Sequence, residues 1–188
     1  QLNISYPTVL KAMHLIRTAI THDMEEPSRK GEIDLDETYF GGKRKGKRSR
    51  GAHNKVPVFG IRERNGIVKV DILPDVTAES ILNMTIKTVR RGSIVYTDRF
   101  KSYDTLMLCG YRHLRIDHGK RFARGKVYIN GLEGFWSYAK ERIIKFHGVT
   151  KEKFPLHLKE MEFRYNHRKE MLFNLLAERI CNFVSNVL

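Results

Sequence analysis

Three acidic residues fall where metal-dependent phosphoryl-transfer chemistry needs them. Asp36 lies in the strand-like run Glu32-Ile33-Asp34-Leu35-Asp36, Asp98 ends the run Ser93-Ile94-Val95-Tyr96-Thr97, and Glu133 opens an amphipathic helical pattern. Two strand carboxylates and one helix carboxylate can converge on a pair of divalent cations roughly 3.5–4 Å apart, which clamp the attacking and leaving oxygens of a phosphodiester. The ions expected are two Mg2+ or Mn2+, with water and DNA oxygens completing their octahedra. Each acid also has an ordinary role to weigh: an ion pair for Asp36, a turn after a buried strand for Asp98, and a capping box with Asn130 for Glu133.

Charge points to the same kind of partner. The chain of 188 residues has 35 Lys and Arg against 21 Asp and Glu, a formal charge of +14, so polyanions are the expected ligands. Six cations crowd into eight residues, at Lys43, Arg44, Lys45, Lys47, Arg48 and Arg50, directly after Gly41-Gly42. This run reads as a loop at the end of the strand that carries Asp36. Its expected role is contact with phosphates, which positions DNA without reading its sequence; a merely solvated loop is the bland alternative. Cys109 and Cys181 match no zinc or redox spacing, which fits a reducing, cytoplasmic compartment. No stretch approaches the roughly 20 apolar residues of a membrane helix. The chain opens at Gln1 rather than Met, as a fragment or a processed chain would.

The elements that must position the acids follow from periodicity. A capped helix begins at Ser5-Tyr6-Pro7, with an apolar side of Val9, Leu10, Met13, Ile16 and Ile20, and a linker follows over Asp23 to Lys30. Extended runs cover Glu32 to Phe40, Val56 to Arg62 and Ile67 to Leu73, with Asn65-Gly66 marking a hairpin between the last two. Thr77 to Val89 reads as a crossover helix that returns the chain to Ile94-Val95-Tyr96 parallel to an earlier strand. A short helix over Ser102 to Leu108, a fifth strand over Tyr111 to Ile116 and a helix over Gly131 to Phe146 complete the pattern. Two amphipathic helices fill Phe154 to Leu188.

Three meandering strands followed by helix, strand, helix, strand, helix is the order of a ribonuclease-H-like fold, a mixed five-stranded sheet flanked by helices. Side-chain alternation places Asp34 and Asp36 on one face of the first strand and Leu35 and Glu37 on the other. Asp98 ends its strand at the carboxyl edge, where ligand sites of α/β sheets form. Three regions are expected: a helical segment and linker over 1–30, either an ordinary packing helix or the remnant of an N-terminal DNA-binding region; a catalytic domain over 31–150; and C-terminal helices packed on it over 151–188.

Four ordered motifs carry a family resemblance: Asp36-Glu37-Thr38-Tyr39-Phe40-Gly41-Gly42, Tyr96-Thr97-Asp98, Asn130-Gly131-Leu132-Glu133-Gly134-Phe135-Trp136 and Phe163-Arg164-Tyr165-Asn166. From about Gly31 to Arg168 the sequence resembles DDE-type insertion-sequence transposases of the ISXO-like branch, related to Merlin elements. The resemblance implies a catalytic and metal-binding triad of Asp36, Asp98 and Glu133. It also implies cleavage at transposon ends with strand transfer into target DNA, and a dimer or larger assembly on that DNA. The 35-residue interval from Asp98 to Glu133 is similar to the spacing in many transposases and integrases. Lys140, two helical turns beyond Glu133 and on its face, is implied to meet a phosphate; a solvated helix face is the alternative.

Auxiliary roles fall to Asn130, as cap and site neighbour, to His118, and to Trp136, which either stacks on an unpaired base or packs in the core. The sequence departs from the family in having no zinc ribbon, in Tyr128 where His often stands, and in Asp117-His118-Gly119. Two other functions remain open at this point: a structure-specific nuclease or resolvase on the same fold, and a domesticated DNA-binding protein that does not cut.

Overall fold

The computed structural model describes residues 3–22, 29–41, 55–64, 66–98, 100–116 and 130–187. Lys43, Arg44, Lys45, Lys47, Arg48, Arg50 and His118, together with Asn65 of the expected hairpin, lie outside the described residues, as does the side chain of Asn130. Two compact units emerge, one of Glu26–Lys140 and one of Gln1–Glu25 with Glu141–Leu188.

The first unit is built on a five-stranded sheet in the order β3-β2-β1-β4-β5, from β1 (Glu32–Phe40), β2 (Val56–Glu63), β3 (Val68–Ile72), β4 (Ile94–Thr97) and β5 (Arg112–Arg115). β1 runs antiparallel to β2 and parallel to β4, and β4 is parallel to β5. This is the ribonuclease-H-like topology. The crossover that makes β4 parallel is α2 (Ala78–Thr88), whose start is fixed chemically: the Thr77 hydroxyl accepts from Ser80 N, and Asp75 Oδ1 accepts from both the Thr77 and Ser80 hydroxyls.

Alternation along β1 separates two environments. Ile33 and Leu35 join Phe59, Ile61, Ile81, Val95, Tyr103, Leu106 and Tyr111 in one buried cluster, so α2 and the 3₁₀ helix Lys101–Cys109 cover that face. Gly110 ends the 3₁₀ helix at φ 83°, a left-handed conformation that glycine adopts without a Cβ clash. The opposite face carries Asp34, Asp36 and Thr38 of β1 opposite Arg62, Gly60 and Val58 of β2. Helix α3 (Asn130–Ile143) lies over it, with Leu132, Phe135, Trp136 and Ala139 buried. The short helix expected at Ser102 is therefore a 3₁₀ helix, and α3 begins at Asn130 itself.

In the second unit α1 (Tyr6–His22) packs with α4 (Phe154–Asn166) and α5 (Leu172–Val187). This unit draws together the two ends of the chain. The join is ionic as well as apolar: buried Arg17 donates to Glu160 Oε2 at 2.7 Å, and Arg164 donates to Glu160 Oε1 at 2.8 Å. Among the described residues no helix is long and apolar enough to cross a membrane.

Candidate active site

Asp36 sits half-buried on β1, and the indole N–H of Trp136 donates to its Oδ2 at 2.9 Å. This contact exists because residue 60, directly across the ladder, is glycine. A Cβ built there would stand 2.6 Å from Trp136 Cζ2 and 2.9 Å from Leu132 Cδ2, well inside carbon–carbon contact. The Trp136 ring fills that slot, held edge-on by Phe40 and Phe135. Trp136 is thus a core residue, one of the two readings of it, but its polar edge also serves the candidate site.

Burial pushes the Asp36 carboxyl up to about 7; the Trp136 hydrogen bond opposes that shift, while the negative charges of Glu37 and Asp98 add to it. Asp98 follows β4, and its Oδ1 accepts from the Phe100 backbone N–H at 2.8 Å, a side-chain turn that fixes the chain after the strand. The turn reading of Asp98 is what this contact shows. Glu133 lies in the first turn of α3 and is exposed.

The three acids do not form a closed cage. Among the described residues, no group of three His, Cys, Asp or Glu side chains is placed to hold a metal ion. One oxygen of Asp36 is engaged by Trp136 and one of Asp98 by Phe100, while Glu133 faces solvent. The structure brings Asp36 and Asp98 within electrostatic reach of each other and does not bring Glu133 to them. The donor set nonetheless suits a hard cation: these are carboxylate oxygens, and the negative charges of Glu37 and Asp98, which add to the effect of burial on Asp36, are what a divalent ion relieves.

Lys140 reaches back from α3 to the end of β1, where its Nζ donates to Thr38 Oγ1 at 2.5 Å and lies 5.7 Å from the Phe40 ring centroid. Burial lowers the affinity of this amine for its proton, and the charge of Asp36 opposes that shift. A cation thus stands beside Asp36. Asp34, on the same face, is buried and ion-paired: Arg64 Nε donates to its Oδ1 at 3.0 Å and Arg62 Nη1 to its Oδ2 at 3.3 Å. Arg62 also lies against Gly131, where any Cβ would collide with its guanidinium.

Sequence reasoning missed two parts of this arrangement. Gly60 carried a usable signal, a glycine inside an apolar strand where another group approaches closely. Tyr103 carried none, because its hydroxyl partner, Glu37, is 66 residues away.

Residues 29–166 match the family described as the ISXO2-like transposase domain. An uncharacterized transposase-like protein of Haemophilus influenzae is 44% identical over 95 residues, which cover 50% of this chain and 77% of that protein. An uncharacterized protein in transposable element ISH50 of Halobacterium salinarum is 27% identical over 183 residues, covering 87% of this chain and 61% of that protein. Among solved structures, the catalytic core domain of BIV integrase aligns with a TM-score of 0.45 at 15% identity, covering 70% of this chain and 81% of the other.

Proposed function

This chain belongs to the ISXO2-like transposase domain family, and we propose that it cuts DNA at transposon ends and joins the ends to target DNA, using Asp36, Asp98 and Glu133. The single observation that carries the proposal is Asp36: a half-buried carboxylate on a central strand, fixed by an indole N–H and raised to about 7 by burial and by neighbouring acids. Asp34 on the same face is paired with Arg62 and Arg64, whereas Asp36 lies beside the negative charges of Glu37 and Asp98, and a carboxyl perturbed by burial and neighbouring charge is a candidate functional group.

Each residue has a defined task. Asp36 and Asp98 supply ligand oxygens from adjacent strands, and Trp136 orients Asp36 so that one oxygen is committed to the indole. Glu133, from the first turn of α3, supplies the third carboxylate. Two Mg2+ or Mn2+ ions held by these acids would lower the pKa of bound water and neutralise charge developing on the phosphodiester oxygens. Lys140, steadied on Thr38, would meet a DNA phosphate beside Asp36. The basic run Lys43 to Arg50 extends the same phosphate-binding role. DNA ends and target DNA are the proposed partners, and a dimer or larger assembly would hold two ends together.

The test is cleavage and joining of labelled DNA bearing the element's terminal repeats, with Mg2+ or Mn2+, for the wild type and Glu133→Gln. Metal-dependent nicking and joined products that vanish in the variant support the proposal. Nicking without joined products favours a structure-specific nuclease or resolvase. DNA binding with no cutting by either protein refutes the catalytic reading in favour of a DNA-binding protein.

A further inference from the structure

The backbone alone does not set the spacing of Asp36 and Asp98. β1 pairs with β4 only at Glu32↔Ile94, Ile33↔Val95 and Asp34↔Tyr96, so the ladder between the two strands ends two residues before each acid. What links them beyond that point is a chain of side-chain contacts on the face of the sheet opposite Trp136.

At its centre is Tyr103 in the 3₁₀ helix, fully buried, whose hydroxyl donates to Glu37 Oε2 at 2.6 Å. Glu37 is the neighbour of Asp36 and points to the other face of β1. The end of β1 is therefore held from both sides, by Trp136 through Asp36 and by Tyr103 through Glu37. Tyr103 also holds the Asp98 side. Its backbone N–H donates to Phe100 O at 3.1 Å, its ring packs edge-on against Phe100 at 6.2 Å, and Phe100 N–H donates to Asp98 Oδ1 at 2.8 Å. Removing the Tyr103 hydroxyl would leave a half-buried carboxylate on Glu37 without that donor and loosen the hold on the Asp36 end, while the ring and backbone contacts to Phe100 remain.

We propose that Tyr103 and Glu37 form a positioning pair that holds Asp36 and Asp98 at the separation a shared divalent cation requires. This rests on the proposed function, in which those two acids are metal ligands. Neither Tyr103 nor Glu37 touches the metal; they act through the strand and the turn that carry the ligands. Partners of this outer kind typically govern metal affinity by about 10–100-fold.

The experiment is Mn2+ binding to the purified full chain, followed by electron paramagnetic resonance of free Mn2+, with a thermal melt of each variant. Asp36→Asn is the control and abolishes the site. Tyr103→Phe should weaken Mn2+ binding by about 10-fold or more. Glu37→Gln keeps a carbonyl oxygen to accept from Tyr103, so it should stay within about 3-fold of wild type, whereas Glu37→Leu should match Tyr103→Phe. This rescue by the conservative variant separates positioning from a general loss of stability, which the melts record independently. Wild-type affinity in Tyr103→Phe, with Asp36→Asn still inactive in binding, overturns the pair alone. Glu37→Gln as damaging as Asp36→Asn makes Glu37 a ligand and overturns the positioning role. Binding that Asp36→Asn leaves intact overturns the functional reading beneath it.

Discussion

Gly60→Ala should damage both the stability and the candidate site, because one methyl group must enter the space occupied by Trp136. The added Cβ would stand 2.6 Å from Trp136 Cζ2 and 2.9 Å from both Trp136 Cη2 and Leu132 Cδ2, against a favourable carbon–carbon separation of about 3.5–4.0 Å. The overlap of about 1 Å falls on a rigid ring wedged between Phe40 and Phe135, not on a flexible chain end. Overpacking of this kind costs about 1–3 kcal/mol. If the ring yields, the indole N–H leaves Asp36, and a hydrogen bond to a charged group is worth a further 1.5–3 kcal/mol, roughly. The two losses are alternatives as much as additions, so about 2–4 kcal/mol is expected. Trp136 is the sole tryptophan of the chain, so its fluorescence reports the ring directly during urea unfolding. Gly60→Ala should lower the urea midpoint and alter the native emission. The double variant with Trp136→Phe, followed by circular dichroism, should lose less than the sum of the single changes by about 1 kcal/mol or more, because a smaller ring frees the slot. A Gly60→Ala protein within about 0.5 kcal/mol of wild type, with unchanged emission, would refute the slot argument.

Glu160→Ala should destabilise the helical unit by about 3–5 kcal/mol in thermal or urea melts, since it leaves Arg17 buried without its 2.7 Å partner. Lys140→Met should reduce the slope of log binding constant against log salt for DNA by about 0.9, the share of one phosphate contact, with the preference among sequences unchanged. His157 is held neutral by burial, with Arg17 reinforcing and Glu160 opposing, so its pKa lies below the ordinary 6.5. The unfolded chain therefore binds more protons just below that value, and stability should fall as pH drops through about 6.5; in His157→Phe that part of the slope should disappear from urea midpoints measured between pH 5 and 7.5.

The sheet was legible because its signals are local. Alternation in Glu32 to Phe40 marked a strand with one greasy face, the Thr77 start and the Val89 end bounded a crossover helix, and parity assigned Asp36 and Glu37 to opposite faces, as Trp136 and Tyr103 now display from either side. Unit boundaries were not legible. The partners of α1 could not be read from its residues, because they stand 143 residues away in the Arg17–Glu160 pair, and no periodicity records which helix a buried arginine will find. Nor did the role of the Phe163-Arg164-Tyr165-Asn166 motif follow from its residues. In the structure Arg164 ties to Glu160, and Phe163 is buried with Arg179 stacked over its ring at 5.1 Å, which makes the motif part of the helical unit's packing.

For the candidate site the division lies between the candidate carboxylates and the residues that hold them. Carboxylates announce themselves by type and spacing, and the order Asp36, Asp98, Glu133 suffices to suspect them. What keeps Asp36 in place is chemistry that sequence types conceal: a missing methyl at Gly60, the polar edge of a core tryptophan, and a tyrosine hydroxyl buried beneath the neighbouring acid. None of these is unusual alone, since glycines interrupt strands and aromatics fill cores in most proteins. Their meaning comes from register: β1 and β2 pair Asp36 with Gly60, and that single ladder rung decides that the α3 aromatic can descend to the carboxylate. A shift of β2 by one residue would put Phe59 or Ile61 opposite Asp36, turn the glycine to the other face, and close the slot. The geometry at Asp36 is therefore a property of strand register as much as of the acid itself, and substitutions that disturb that register should affect the site even where they touch none of the three carboxylates.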